Sequence, residues 1–208
     1  MENSISNSRK SLQIVIATKN LHKIREIKTI LLEMFPNIDL LSLIDFPNYI
    51  PPQENTNSFE ENAITKATNC AKELNMWTIA DDSGLVIPSL NGEPGVLSAR
   101  YAGNDATDLE NRKKLLAKIE VLSEKDRYAY FESSIALANP KILKKVVSSK
   151  VEGRVIDFER GSGGFGYDSI FIKHDYNKTF AELEESIKNK VSHRRKALDK
   201  LSFALEAL

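Results

Sequence analysis

The rhythm of apolar and polar positions changes several times along the chain, and each change marks an element. Leu12 to Ala17 is a short, largely β-branched apolar run closed by Thr18-Lys19-Asn20, the pattern of a buried strand. From Leu21 to Met34 the apolar residues fall at Ile24, Ile27, Ile30, Leu31 and Met34, which is helical spacing. Ile38 to Leu43 reads as a second strand, and Pro47, Pro51 and Pro52 make residues 45–57 a loop. Ser58, with Glu61 three residues on, opens a helix with a capping-box pattern that runs to about Asn75. Trp77 to Ala80 is a third strand, ending in what reads as a turn at Asp81-Asp82-Ser83-Gly84. This alternation of strand and helix predicts an α/β fold with a parallel-type sheet.

The second half has a different rhythm. Leu85 to Leu90 is apolar, a loop follows at Gly92, Pro94 and Gly95, and Thr107 with Glu110 caps a helix reaching about Leu122. Arg127 to Ala138 and Ile142 to Val155 alternate like two long strands joined at Asn139-Pro140. A glycine cluster at 161–166, a strand at Ser169 to Ile172 and helical patterns over 180–187 and 191–206 close the chain. No repeat or linker divides residues 11–208, so one mixed α/β unit is expected; residues 1–10, polar and Ser/Asn-rich, read as a loose tail.

Composition narrows the function classes. The 29 basic and 29 acidic residues cancel, which argues against a nucleic-acid polymer as partner. The single Cys70 excludes an intramolecular disulfide. With only three histidines, a closed zinc site is disfavoured; a bound metal is expected to take oxygen ligands, as Mg²⁺ does. Leu12 to Ala17 is too short for a bilayer span or a secretory core, so no membrane partner and a cytoplasmic location are expected.

Five segments carry candidate chemistry. Thr18-Lys19-Asn20 with Lys23 is a strand-to-helix junction, where free backbone N–H groups and a lysine suit phosphate; the plainer reading is an N-cap beside a surface lysine. It lacks the glycine pattern of a P-loop. Glu54, Glu61 and Lys66 form a charged group, in which Glu61 is equally a capping residue. Asp81-Asp82 puts two carboxylates side by side, which a cation or a water-activating role would offset, although a turn would also accept them. Gly163 to Asp168, with Phe165, Gly166 and Tyr167, suits a stacking wall for a flat base, or a hairpin loop. Lys188 with Ser192-His193-Arg194 is a basic cluster for an anion, or a solvated face.

In this order the segments resemble the inosine triphosphate pyrophosphatase family, house-cleaning enzymes for deaminated purine nucleotides. The matching stretches are Ala17-Thr18-Lys19-Asn20 with Lys23 and Glu26, Ser58 to Ala63 with Lys66-Ala67, and Ala80 to Leu85. Pro94-Gly95 with Ser98 to Gly103, Gly164 to Asp168, Lys178 to Glu182 and Ser192-His193-Arg194 complete them. The resemblance implies a mixed central sheet flanked by helices, in an elongated two-lobed unit with the active site in the cleft, and usually a homodimer. It implies hydrolysis of ITP, dITP or XTP to the monophosphate and pyrophosphate with Mg²⁺. Carried over by position, Thr18, Lys19, Asn20, Lys23 and Lys66 would hold phosphates, and Asp82 would bind metal and accept the proton, with Ser83 on the substrate. Phe165, Gly166, Tyr167, Asp168, Lys188, His193 and Arg194 would surround the base and neighbouring groups. A donor such as a backbone N–H or a protonated histidine would then read the 6-oxo edge.

This chain departs from the family pattern at Gln53-Glu54, where two acidic residues are usual, at Ile187 before Lys188, and at Ile87-Pro88. Glu54 is therefore the expected second metal ligand and Glu61 its rival. Two rival functions stand beside this one: a Maf-like pyrophosphatase for modified pyrimidine nucleotides, and a nucleotide-binding protein without catalysis.

Overall fold

The computed structural model describes residues 12–54 and 56–208, so the tail expected over 1–10 lies outside the described residues. Strand β1 (Gln13–Ile16) leads through α1 (Leu21–Met34) to β2 (Asp39–Ser42), and α2 (Phe59–Leu74) leads into the long β3 (Trp77–Val86). Helix α3 (Asp108–Ile119) precedes the hairpin of β4 (Tyr128–Ala138) and β5 (Leu143–Val155); β6 (Phe171–Lys173), α4 (Glu185–Val191) and α5 (His193–Glu206) follow. The six strands make one mixed sheet in the order β2-β1-β3-β4-β5-β6. β1 runs parallel to both β2 and β3, as the strand–helix alternation predicts, and the remaining pairs are antiparallel.

Local chemistry explains most element ends. Asn20 Oδ1 accepts from the backbone N–H groups of His22 and Lys23 and starts α1. Asn75, left-handed at φ 53°, ends α2. Thr107 and Glu110 form a full capping box on α3, whereas at α2 only Ser58 Oγ accepts from Glu61 N, so the box predicted there is half-formed.

The turn expected at Asp81 to Gly84 is a correction: these residues are mid-strand in β3, paired with β4 from Thr78↔Ala138 to Val86↔Tyr130. Asp, Ser and Gly favour turns only when no partner strand claims their backbone groups. Gly84 is needed for close approach instead, since a Cβ there would lie 2.3 Å from Ser98 Oγ and 2.4 Å from the Gly95 carbonyl. The strand expected over Ser169 to Ile172 is a 3₁₀ turn at Asp168–Ile170 followed by β6. The helix expected over 180–187 is a 3₁₀ turn at Phe180–Glu182 and then α4, separated by Leu183 in extended geometry.

Three apolar cores hold the sheet. On one face, Ile14, Ile16, Ile79 and Ile135 meet Ile27 and Ile30 of α1 and Leu198 and Leu201 of α5. On the other, Ala80, Ala136 and Ala138 meet Ala63, Ala67 and Ala71 of α2, small residues on both sides that let the helix lie close to the strands. A third core, around Leu85, Phe131, Phe171 and Phe180, fills the far end of the long strands.

Candidate active site

β1 pairs with β3 only as far as Ile16↔Ile79, while β3 continues to Val86 paired with β4. Beyond Ala17 the first strand leaves the sheet and turns into α1. This opens a crevice at the carboxyl end of β1, where α/β sheets commonly bind ligands. A cavity of about 230 Å³ occupies it.

Strand alternation sorts the carboxylates on its floor. Asp81 faces α1 and α5, where Lys23 Nζ lies 2.9 Å and the Arg194 guanidinium 3.4 Å from its Oδ2, and Ser133 Oγ donates to Oδ1 at 2.6 Å. Asp82 faces α2, where Lys66 Nζ donates to Oδ1 at 2.7 Å and Asn62 Nδ2 to Oδ2 at 3.1 Å. Lys66 also reaches Glu54 Oε1 at 2.6 Å, and Arg100 Nη1 holds Glu54 Oε2 at 2.8 Å. Burial favours the neutral forms, yet Lys66 and Arg100 outweigh it at Glu54, whose pKa falls to about 2. At Asp82 burial prevails over Lys66 and raises the pKa above the usual aspartate value.

Behind Asp81 lies a buried ionic network. Glu26 of α1 accepts from Lys188 Nζ at 2.6 Å and from Arg194, and Lys188 also pairs with Asp168. Asp81, Glu26 and Asp168 are thus matched by Arg194, Lys188 and Lys23, the condition for burying charges at all. Burial works against the Lys188 ammonium, but Asp168 and Glu26 outweigh it and hold its pKa up. Gly164, at φ +70°, leaves room for Asp168 Oδ2 to accept from Phe165 N at 2.9 Å. That contact pins the glycine loop and sets Phe165 on the cavity wall.

The structure brings together Thr18, Asn20, Lys23, Glu54, Lys66, Asp82, Ser83, Phe165, Gly166, Tyr167, Asp168, Lys188, His193 and Arg194 around this one cavity. It does not bring in Lys19, which is exposed beside the crevice, or Glu61, which is exposed on α2. The plainer readings of Lys23 as a surface lysine and of Arg194 as part of a solvated face fall with the ion pairs at Asp81. A protonated His193 is also set aside. Its ring is buried against Phe131, and burial, with the Arg194 charge beside it, holds its pKa well below the usual histidine value. Its Nδ1 has no hydrogen-bond partner.

Sequence reasoning gave three groups no role. Asp81 reads in sequence only as half of an acidic pair, since its partners Lys23 and Arg194 are distant in the chain. Glu26 had a signal, since it lies four residues before Ile30 on the apolar face of α1, where a charge demands a partner. Arg100 lies in the matching stretch Ser98 to Gly103, but its pairing with Glu54 had no signal, because the two are 46 residues apart.

Residues 14–204 match the Ham1 family. The chain is 51% identical to the dITP/XTP pyrophosphatase of Protochlamydia amoebophila over 198 residues, covering 95% of this chain and 99% of the relative. Among solved structures, the Ham1 protein of Staphylococcus aureus is 41% identical with a TM-score of 0.81, covering 94% of this chain and 98% of that one. A HAM1 protein from Coxiella burnetii is 38% identical with a TM-score of 0.83, covering 95% and 100%.

Proposed function

We infer that this chain, which belongs to the Ham1 family, is a nucleoside triphosphate pyrophosphohydrolase that converts dITP, ITP and XTP to monophosphates and pyrophosphate. The observation that carries this reading is the convergence of two unlike surfaces on one cavity. Its lining holds Lys23, Lys66 and the start of α1, and also the ring of Phe165, on which His22 stacks and over which Lys188 Nζ lies at 4.8 Å. A triphosphate and a purine need these two surfaces together.

In this reading the phosphates lie toward Thr18, Asn20, Lys23 and Lys66, whose positive charge neutralises the charge that grows as water attacks. Asp82 accepts the proton of that water, and the bond to the departing pyrophosphate breaks. Its carboxyl suits the task, because burial raises its basicity while Asn62 holds Oδ2 and leaves Oδ1 directed into the cavity. Glu54 and Asp82 fit Mg²⁺: each offers a hard oxygen donor to one shared cationic position, which Lys66 fills. Bound there, the ion would add charge neutralisation at the phosphates. Among the described residues no third His, Cys, Asp or Glu joins this pair, so phosphate and water oxygens would complete its shell.

At the base end Phe165 stacks on the purine, and N–H donors among Lys188, Arg194 and a neutral His193 read the 6-oxo group, which adenine replaces with a donor of its own. We further propose a homodimer and a cytoplasmic location, in keeping with the resemblance and with enzymes that act on nucleotide pools. Among the described residues no helix is long and apolar enough to cross a membrane.

The test is pyrophosphate release from ITP, XTP, dITP, ATP, GTP and dTTP with Mg²⁺. Preference for ITP, dITP and XTP by orders of magnitude is expected. Preference for pyrimidine nucleotides would favour the Maf-like alternative, and binding without turnover a nucleotide sensor.

A further inference from the structure

Glu54 and Asp82 each keep one oxygen occupied by a partner other than Lys66. Arg100 holds Glu54 Oε2 at 2.8 Å, and Asn62 holds Asp82 Oδ2 at 3.1 Å. The two remaining oxygens, Glu54 Oε1 and Asp82 Oδ1, both converge on Lys66 Nζ, at 2.6 and 2.7 Å. The carboxylates are therefore oriented independently of the lysine between them. Among the described residues, the ammonium's one further acceptor is the Asp81 carbonyl, at 3.5 Å.

We propose that Lys66 is a resident surrogate cation: in the nucleotide-free protein it occupies the divalent-metal position, and metal binds there only once Lys66 has left. The proposal deepens the reading of Glu54 and Asp82 as the metal pair. Charge supports it. Glu54 and Asp82 are already balanced by Lys66 and Arg100, so a divalent ion arriving alone meets no unpaired anion and is repelled by the ammonium. The side chain can move while its helix stays fixed. Lys66 stands between the buried Ala63 and Ala67 of α2, and its ammonium sits on a flexible four-carbon stem at the edge of the cavity. Phosphate oxygens entering the cavity draw the ammonium away and leave both carboxylate oxygens to the metal. By linkage, nucleotide and metal then favour each other's binding to the same degree.

The experiment is a Mn²⁺ titration of the nucleotide-free protein, read by the loss of free-Mn²⁺ paramagnetic resonance signal. Wild type is compared with K66M, K66Q and K66R, and with K23M as a control. K66M and K66Q should bind Mn²⁺ at least about tenfold more tightly than wild type, and K66R should stay as weak. K23M, which removes a cation paired with Asp81 that reaches Asp82 only through space, should gain clearly less than K66M. Adding E54Q to K66M should return weak binding. Circular dichroism establishes that each variant is folded, and K66Q decides the matter if K66M is not. Equal Mn²⁺ affinity in wild type and the two neutral variants would overturn the proposal, as would an equal gain in K23M. Because no turnover is measured, a failed substrate panel with tightened Mn²⁺ binding would reject the proposed activity and leave this inference standing.

Discussion

Asp81 and Asp82 are neighbours in the chain but face opposite sides of the sheet. Asp81 meets Lys23 of α1 and Arg194 of α5, and Asp82 meets Lys66 and Asn62 of α2. Their repulsion is small because strand alternation separates them, and each has its own cation. The two positions should therefore respond differently to the same substitution.

Asp82→Asn should leave the fold intact and lower pyrophosphate release by roughly 10²- to 10⁴-fold. Burial already disfavours the ionised form here, so a neutral isostere is accommodated. Steady-state rates with ITP and a thermal melt check both halves, and a wild-type rate would remove Asp82 from the mechanism.

Asp81→Asn should instead unfold the protein more easily, by about 3–5 kcal/mol in a urea titration. Asp81 is buried, and the cations Arg194 and Lys23 outweigh that burial and hold its pKa well below the usual value. Removing it leaves those cations short of an anion. A loss below about 0.5 kcal/mol, the range of an ordinary surface change, would show that the network does not stabilise the fold.

Phe165→Ala should raise KM for ITP roughly 5- to 100-fold, the cost of one lost base stack, with kcat much less affected. The glycine loop should keep its shape, since the bond from residue 165 N to Asp168 Oδ2 comes from the backbone. An unchanged KM would move the base away from this wall.

Acid should weaken the fold in two stages. His193 has a pKa far below its unfolded value of about 6.5, so the folded chain binds fewer protons than the unfolded one, and stability falls as pH drops through that value. Glu54 contributes stability fully above about 4.5, and that contribution is lost as pH falls from there toward 2. Asp82, with a raised pKa, acts in the opposite sense in the acid range. The melting temperature should therefore begin to fall between pH 7 and 5.5, and His193→Gln should flatten that first stage. A level curve over this interval in wild type would contradict a buried, neutral His193.

The sequence by itself determined the order and type of the main elements. β1, α1, β2 and α2 follow from periodicity and caps such as Asn20, which are local signals. It also marked most of the cavity wall, from Thr18 to Arg194, because those residue types in that order resemble one family. Only the tertiary structure decided what each group meets. Asp81 to Gly84 are strand rather than turn because β4 pairs with them. His193 is neutral because other elements bury it beside Arg194. Asp81 and Arg194 lie 113 residues apart, and Glu26 and Lys188 lie 162 apart. Periodicity shows which face of an element turns inward, but the partner it finds there is set by how distant segments pack together.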